Sequence, residues 1–155
     1  MLGETLAAFV ATIGFGILFN IKGKKLIFAG IDGAIGWFVY KFILILGLSQ
    51  VSALFIASIS ISIFSEVYAR VLKTPVTTFI VCALIPLVPG GGMYYTMVEA
   101  ITGNIMESLE TGINTLASAG SLALGIICVS TVTRIIMSYN NSKSFKFRHS
   151  RHMKL

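Results

Sequence analysis

Three places in this sequence carry residue types that bind ions or move protons. The first is "ALIPLVPGGGMYYTM", Ala83 to Met97, which sets Pro86, Pro89 and the consecutive glycines Gly90, Gly91 and Gly92 inside a strongly apolar stretch. A proline has no amide hydrogen and clashes with the preceding turn, so a helix entering from Val76 breaks there, and the carbonyls of Cys82 and Ile85 lose their usual donors. The glycines free the backbone, and the following "MYYTMVEAI" is apolar enough to begin a second half-helix. Its first amides lack acceptors and carry about half a unit of positive charge, which attracts an anion such as a carboxylate. Tyr94 is placed to touch a solute at that point, although aromatic residues such as Tyr94 and Tyr95 also gather at membrane interfaces. The plainer reading of the whole segment is a kink that serves packing alone.

The second place is Asp32, about 9 Å along its helix from a lysine-rich end, where a charge is costly unless paired, hydrated or protonated. It is a candidate proton carrier. Lys41 follows nine positions later, too far along one helix to be its partner, and is expected to snorkel to the nearer surface. The third is "SEVYAR", in which Glu66 and Arg70 stand four apart and share a helix face, as an anchoring ion pair or a gate that joins Asp32 in ion coupling. Glu99 reads as a solvated rim residue.

Other chemistries lack their parts. His149 and His152 have no neighbouring Cys or carboxylate at ligand spacing, so no metal is expected. No Ser/His/Asp arrangement and no phosphate-binding Gly-Lys-Ser/Thr loop occurs, so neither an enzyme nor an ATP-driven pump is indicated, and no cofactor is implied. Cys82 and Cys128 read as small buried apolar side chains.

The elements that must position these residues are membrane spans. Of 155 residues, 55% are hydrophobic and only 12% charged, with a mean hydropathy of +0.89, far from soluble domains. Nearly charge-free runs cover Leu2 to Asn20, Leu26 to Leu48, Val51 to Leu72, Val76 to Ile101 and Thr115 to Met137. Each is long enough, at about 1.5 Å per residue, to cross a hydrocarbon layer about 30 Å thick. The expected fold is therefore an all-α membrane protein with about five transmembrane helices, the fourth interrupted at the Pro/Gly break, over residues 1–138. A basic cytoplasmic tail follows over residues 139–155. A cleaved signal in the first run is disfavoured because Glu4 stands where a positive region belongs. "SISISIF", Ser58 to Phe64, alternates like a strand, but an open strand leaves its backbone unpaired in lipid, so a helix is expected.

Charge sets the orientation. Lys22, Lys24, Lys25, Arg70, Lys73, Arg134 and the basic tail share one side if the chain crosses five times, which puts that side in the cytoplasm and the N-terminus outside. The net charge of +6 then needs no nucleic acid, and the tail "KSFKFRHSRHMKL" is expected to orient the chain against anionic lipid. Gly30, Gly33 and Gly36, with Ala7, Ala11, Gly120 and Ser121, are expected to let helices approach closely.

Two segments carry a family likeness: "AFVATIGFGILFNIKGKKL" and "SEVYARVLKTPVTTFIVCALIPLVPGGGMYYTM". From about Phe9 to Met97 the chain resembles the threonine/serine exporter family, in particular the small membrane-only subunit of its split, two-component form. The resemblance implies a bacterial inner-membrane exporter of small amino acids or dicarboxylates such as succinate. It also implies a larger partner subunit with a cytoplasmic domain and its own membrane helices. Pro86, Pro89 and Gly90 match the family motif. Proton coupling is the expected drive, since the chain has no ATP site. A non-transporting membrane scaffold that stabilises the larger partner is the alternative.

Overall fold

The computed structural model describes the backbone of residues 1–152 and the side chains of residues 1–138. Every regular element among them is helical: α1 (Leu2–Leu18), α2 (Lys24–Ile45), α3 (Gln50–Val71), α4 (Thr77–Leu84), α5 (Gly90–Thr102) and α6 (Ile105–His152), with a 3-10 turn, Ile85–Leu87, between α4 and α5. α2 and α3 have 22 residues each and rise about 33 Å, enough to cross the hydrocarbon. Ile105–Ser138 of α6 is a third span of sufficient length and apolarity. The pair Thr77–Leu87 and Gly90–Thr102 passes as one span bent by 50°. α1, with 17 residues, rises about 25 Å and sits at the short limit for a crossing. The architecture is that of an all-α membrane protein, and its surface agrees: Leu6, Ile45, Leu116, Ile127 and Ile135 are exposed, a liability in water and ordinary in lipid.

The alternating serines lie within α3, as the hydrogen-bonding argument requires. Ser58 and Ser60 satisfy their hydroxyls by donating to the carbonyls of Phe55 (2.8 Å) and Ile56 (3.1 Å), a turn back on their own helix. Ser49 caps the helix start by accepting from the Ser52 amide.

Small residues decide which helices touch. α2 packs against α1, α3 and α4, while α6 packs against α3 and α5. A Cβ on Gly30 would fall 2.8 Å from Phe9 and Ile13, one on Gly33 would strike Thr12, and one on Gly36 would strike Ile61. Two details depart from the sequence expectation. The face of α1 that packs is Ala8, Thr12 and Gly16, and Ala7 and Ala11 are exposed. Gly120 has open space beside it, whereas Ser121 is buried as expected, and the closest approach of α6 to α3 occurs one turn later at Gly125, against Phe55 and Ser58. Gly125 and Ser58 are 67 positions apart (125 − 58 = 67), the same separation as the contacting Arg70 and Met137. A constant offset along both helices means that α3 and α6 run parallel.

The core has two parts. Ile21, Ala29, Ala69, Phe79 and Cys82 gather where α1 ends and α2 begins, at the end of the bundle flanked by Lys22, Lys24, Lys25 and Lys73. Leu54, Ala57, Ile61, Ala83, Leu87 and Leu122 form the second part, beside the break. Cys82 is buried as expected, whereas Cys128 is exposed on α6.

Candidate functional site

The turn at Ile85–Leu87 forms because Pro86 denies Cys82 its donor, and the chain then tightens. The Ile85 carbonyl, expected to be orphaned, instead accepts from the Val88 amide at 3.4 Å. Val88 is extended and Pro89 begins α5 without any side-chain cap. The Gly90 amide turns back to Val88 at 2.7 Å and the Met93 amide reaches Pro89 at 3.2 Å. Between them, the amides of Gly91 and Gly92 find no acceptor among the described residues. An uncapped helix start of this kind favours negative charge.

A cleft of about 380 Å³ opens at this point, within the size range of small-ligand pockets. Pro89, Gly90, Gly91 and Gly92 form one wall. Thr111, Asn114, Thr115 and Ser118 of α6 form the other, and Gln50 at the start of α3 contributes its amide. Those four α6 residues recur at spacings of three, one and three, so they make a polar stripe on an apolar helix; this signal was present in the sequence and is the part of the site that reasoning about the break alone missed. Gly92 is required here, since a Cβ would collide with Thr115, while one on Gly112 would press more lightly on Thr96, at 3.2 Å. The hydroxyls of Thr96 and Thr115 are occupied within their own helices, donating to the carbonyls of Gly92 (2.8 Å) and Thr111 (2.7 Å), while Ser108 of α6 donates to the Thr96 carbonyl (2.8 Å) and ties α5 to α6. Gly103 closes it with φ of +88°, a conformation glycine adopts without strain. Because Gln50 begins α3, the cleft opens toward the end of the bundle opposite the lysines.

Of the other expected site residues, neither Pro86 nor Tyr94 lines the cleft. Tyr94 is 64% exposed and stacks edge-on with Tyr95 at 5.4 Å on the outer face of α5.

Asp32 is elsewhere, fully buried between α2 and α3. Ser65 donates its hydroxyl to Asp32 Oδ2 at 2.5 Å, while Asp32 Oδ1 and the buried Ser62 Oγ have no partner among the described residues. A polar group enclosed in this way is costly to bury unless its hydrogen bonds are satisfied. Glu66 and Arg70 do pair, at 3.3 Å, near the lysine-rich end, where Arg70 also touches Met137 of α6. The structure thus sets the break apart from Asp32 and the Glu66–Arg70 pair, while Glu66 follows directly on Ser65, the partner of Asp32.

Two charged residues behave differently from expectation. Lys41 does not stand alone: its ammonium lies 2.8 Å from Glu4 of α1, and Trp37 donates to the same carboxylate at 3.4 Å. Glu99 is only partly solvated, with Oε2 shielded and unpartnered. Among the described residues no cluster of His, Cys, Asp or Glu is arranged to hold a metal.

A family model described as "Threonine/Serine exporter, ThrE" matches residues 4–132, well over half of the chain and beyond both ends of the segment that carries the resemblance. No solved structure matches the chain. With its bent fourth span, its apolar helices and this match, the chain belongs to the threonine/serine exporter family of multi-pass membrane transport proteins.

Proposed function

We propose that this chain is one subunit of a secondary exporter that moves small carboxylate-bearing metabolites out of a bacterial cell across the inner membrane. Its cargo is threonine and serine, or a dicarboxylate such as succinate. The observation that carries this reading is the cleft at the break, where the free amides of Gly91 and Gly92 stand opposite a polar stripe on α6. A carboxylate suits such a helix start, and Asn114, Thr111 and Gln50 offer the neutral hydrogen-bonding groups that an amino acid or hydroxyl needs.

Export is proton-coupled in this reading, with Asp32 carrying the proton and the Glu66–Arg70 pair opening and closing the cytoplasmic end. The N-terminus is outside and the C-terminal segment cytoplasmic, following the basic residues. A larger subunit with a cytoplasmic domain and its own membrane helices supplies the second half, because repeat-built transporters form their sites between two halves.

Reconstitution of the chain in proteoliposomes, with and without the larger subunit, tests this by efflux of labelled threonine, serine and succinate under an imposed pH gradient. Efflux of at least one of them, dependent on both subunits and on the gradient, is expected. Efflux of none sinks the proposal. A scaffold role is favoured by one observation, that α5 buries none of its residues within the chain. In that case transport by the assembled pair is indifferent to substitutions in the cleft.

A further inference from the structure

A second and larger space, about 550 Å³, lies between α3, α4 and α6 at the end of the bundle opposite the cleft. Its mouth carries Arg70, Arg134 and Thr133, and its deeper wall is built from Ile80, Val81 and Ile126. Arg134, Ser130 and Ile126 follow at intervals of four on α6 and share a face, so Ile126 sits about 12 Å deeper than Arg134 along the helix. Glu66 engages only one nitrogen of Arg70, whose side chain remains 52% exposed. Arg134 has no carboxylate within ion-pair distance among the described residues. The groove therefore holds an excess of guanidinium over carboxylate at its mouth and an apolar strip above it, at the same end as Lys22, Lys24, Lys25 and Lys73.

A small hydrophilic anion would use the mouth and leave the wall empty. A phospholipid uses both: guanidinium groups bind phosphate oxygens with directed, charge-assisted hydrogen bonds, and an acyl chain covers the apolar strip. We propose that this groove seats one anionic phospholipid, with its phosphate at Arg70 and Arg134 and an acyl chain along Ile80, Val81 and Ile126. A lipid held there ties α4, the inner half of the broken span, to α3 and α6.

The full chain, purified in neutral detergent, is titrated with phosphatidylglycerol, phosphatidylcholine or glycerol phosphate, and lipid retention is counted by native mass spectrometry. Phosphatidylglycerol is expected to be retained about tenfold more tightly than phosphatidylcholine, with glycerol phosphate binding far more weakly than either. The double variant Arg70→Gln, Arg134→Gln should lose that preference. So should Val81→Trp, which keeps both arginines and fills the wall. Equal retention of the two lipids, a preference that survives either variant, or glycerol phosphate binding as tightly as the lipid overturns the assignment. Far-ultraviolet circular dichroism identifies any variant that fails to fold, and Ile126→Trp then replaces it with the same expected loss.

Discussion

In the proposed mechanism the proton is carried by Asp32. Its carboxyl holds one hydrogen bond from Ser65 and keeps its other oxygen free in a space without solvent. Asp32→Asn preserves the shape and the Ser65 contact while removing the exchangeable proton, so efflux driven by a pH gradient should fall at least about tenfold while exchange of cargo without a gradient continues. An unaltered response to the gradient in that variant would assign coupling to another group. Ser65→Ala leaves both carboxyl oxygens unpartnered and should lower stability by about 1–3 kcal/mol, read as a shift in the detergent melting curve. The depth of Asp32 was legible from its distance to the flanking lysines. Its partner was not, because Ser65 lies 33 positions away and meets it only through the packing of α2 on α3. The same limit hid the ion pair between Glu4 and Lys41, since helical spacing reports neighbours on one helix and is silent about those across an interface.

At the scale of the elements, the break in the fourth span followed directly from two prolines and three glycines in an apolar run. The 50° bend and the choice of α6 as the opposing wall did not, because they depend on where Gly92 meets Thr115 and Gly112 meets Thr96. Glycine positions told that helices touch; the contacting face of α1 was displaced by one residue, and on α6 it is Ser121 and Gly125, not Gly120, that face inward, since neighbouring small residues on a helix point in directions about 100° apart. Pro86→Ala with Pro89→Ala returns the missing amides and lets the span straighten. The variant should melt at the same temperature or higher, and cargo efflux should drop about tenfold or more as the cleft closes. Retained efflux with a straightened span would reduce the break to a packing feature.

For the whole molecule, the unpaired surface is informative. Met93, Tyr94, Tyr95, Met97 and Ile101 of α5 are largely exposed among the described residues, beside a cleft that is open on one side. Docking of the proposed larger subunit on this face would complete the site, since repeat-built transporters form theirs between two halves. Tyr95→Arg is expected to reduce co-purification of the larger subunit several-fold without altering the chain's own melting temperature, since Tyr95 is 58% exposed. The most direct test of the cleft as a carboxylate site is Asn114→Asp, which adds one negative charge to the α6 wall at nearly constant shape. With assembly and melting temperature unchanged, efflux of threonine, serine or succinate should fall by about tenfold or more, because two like charges in a partly enclosed site repel by more than 1 kcal/mol; efflux at the original rate would contradict the account.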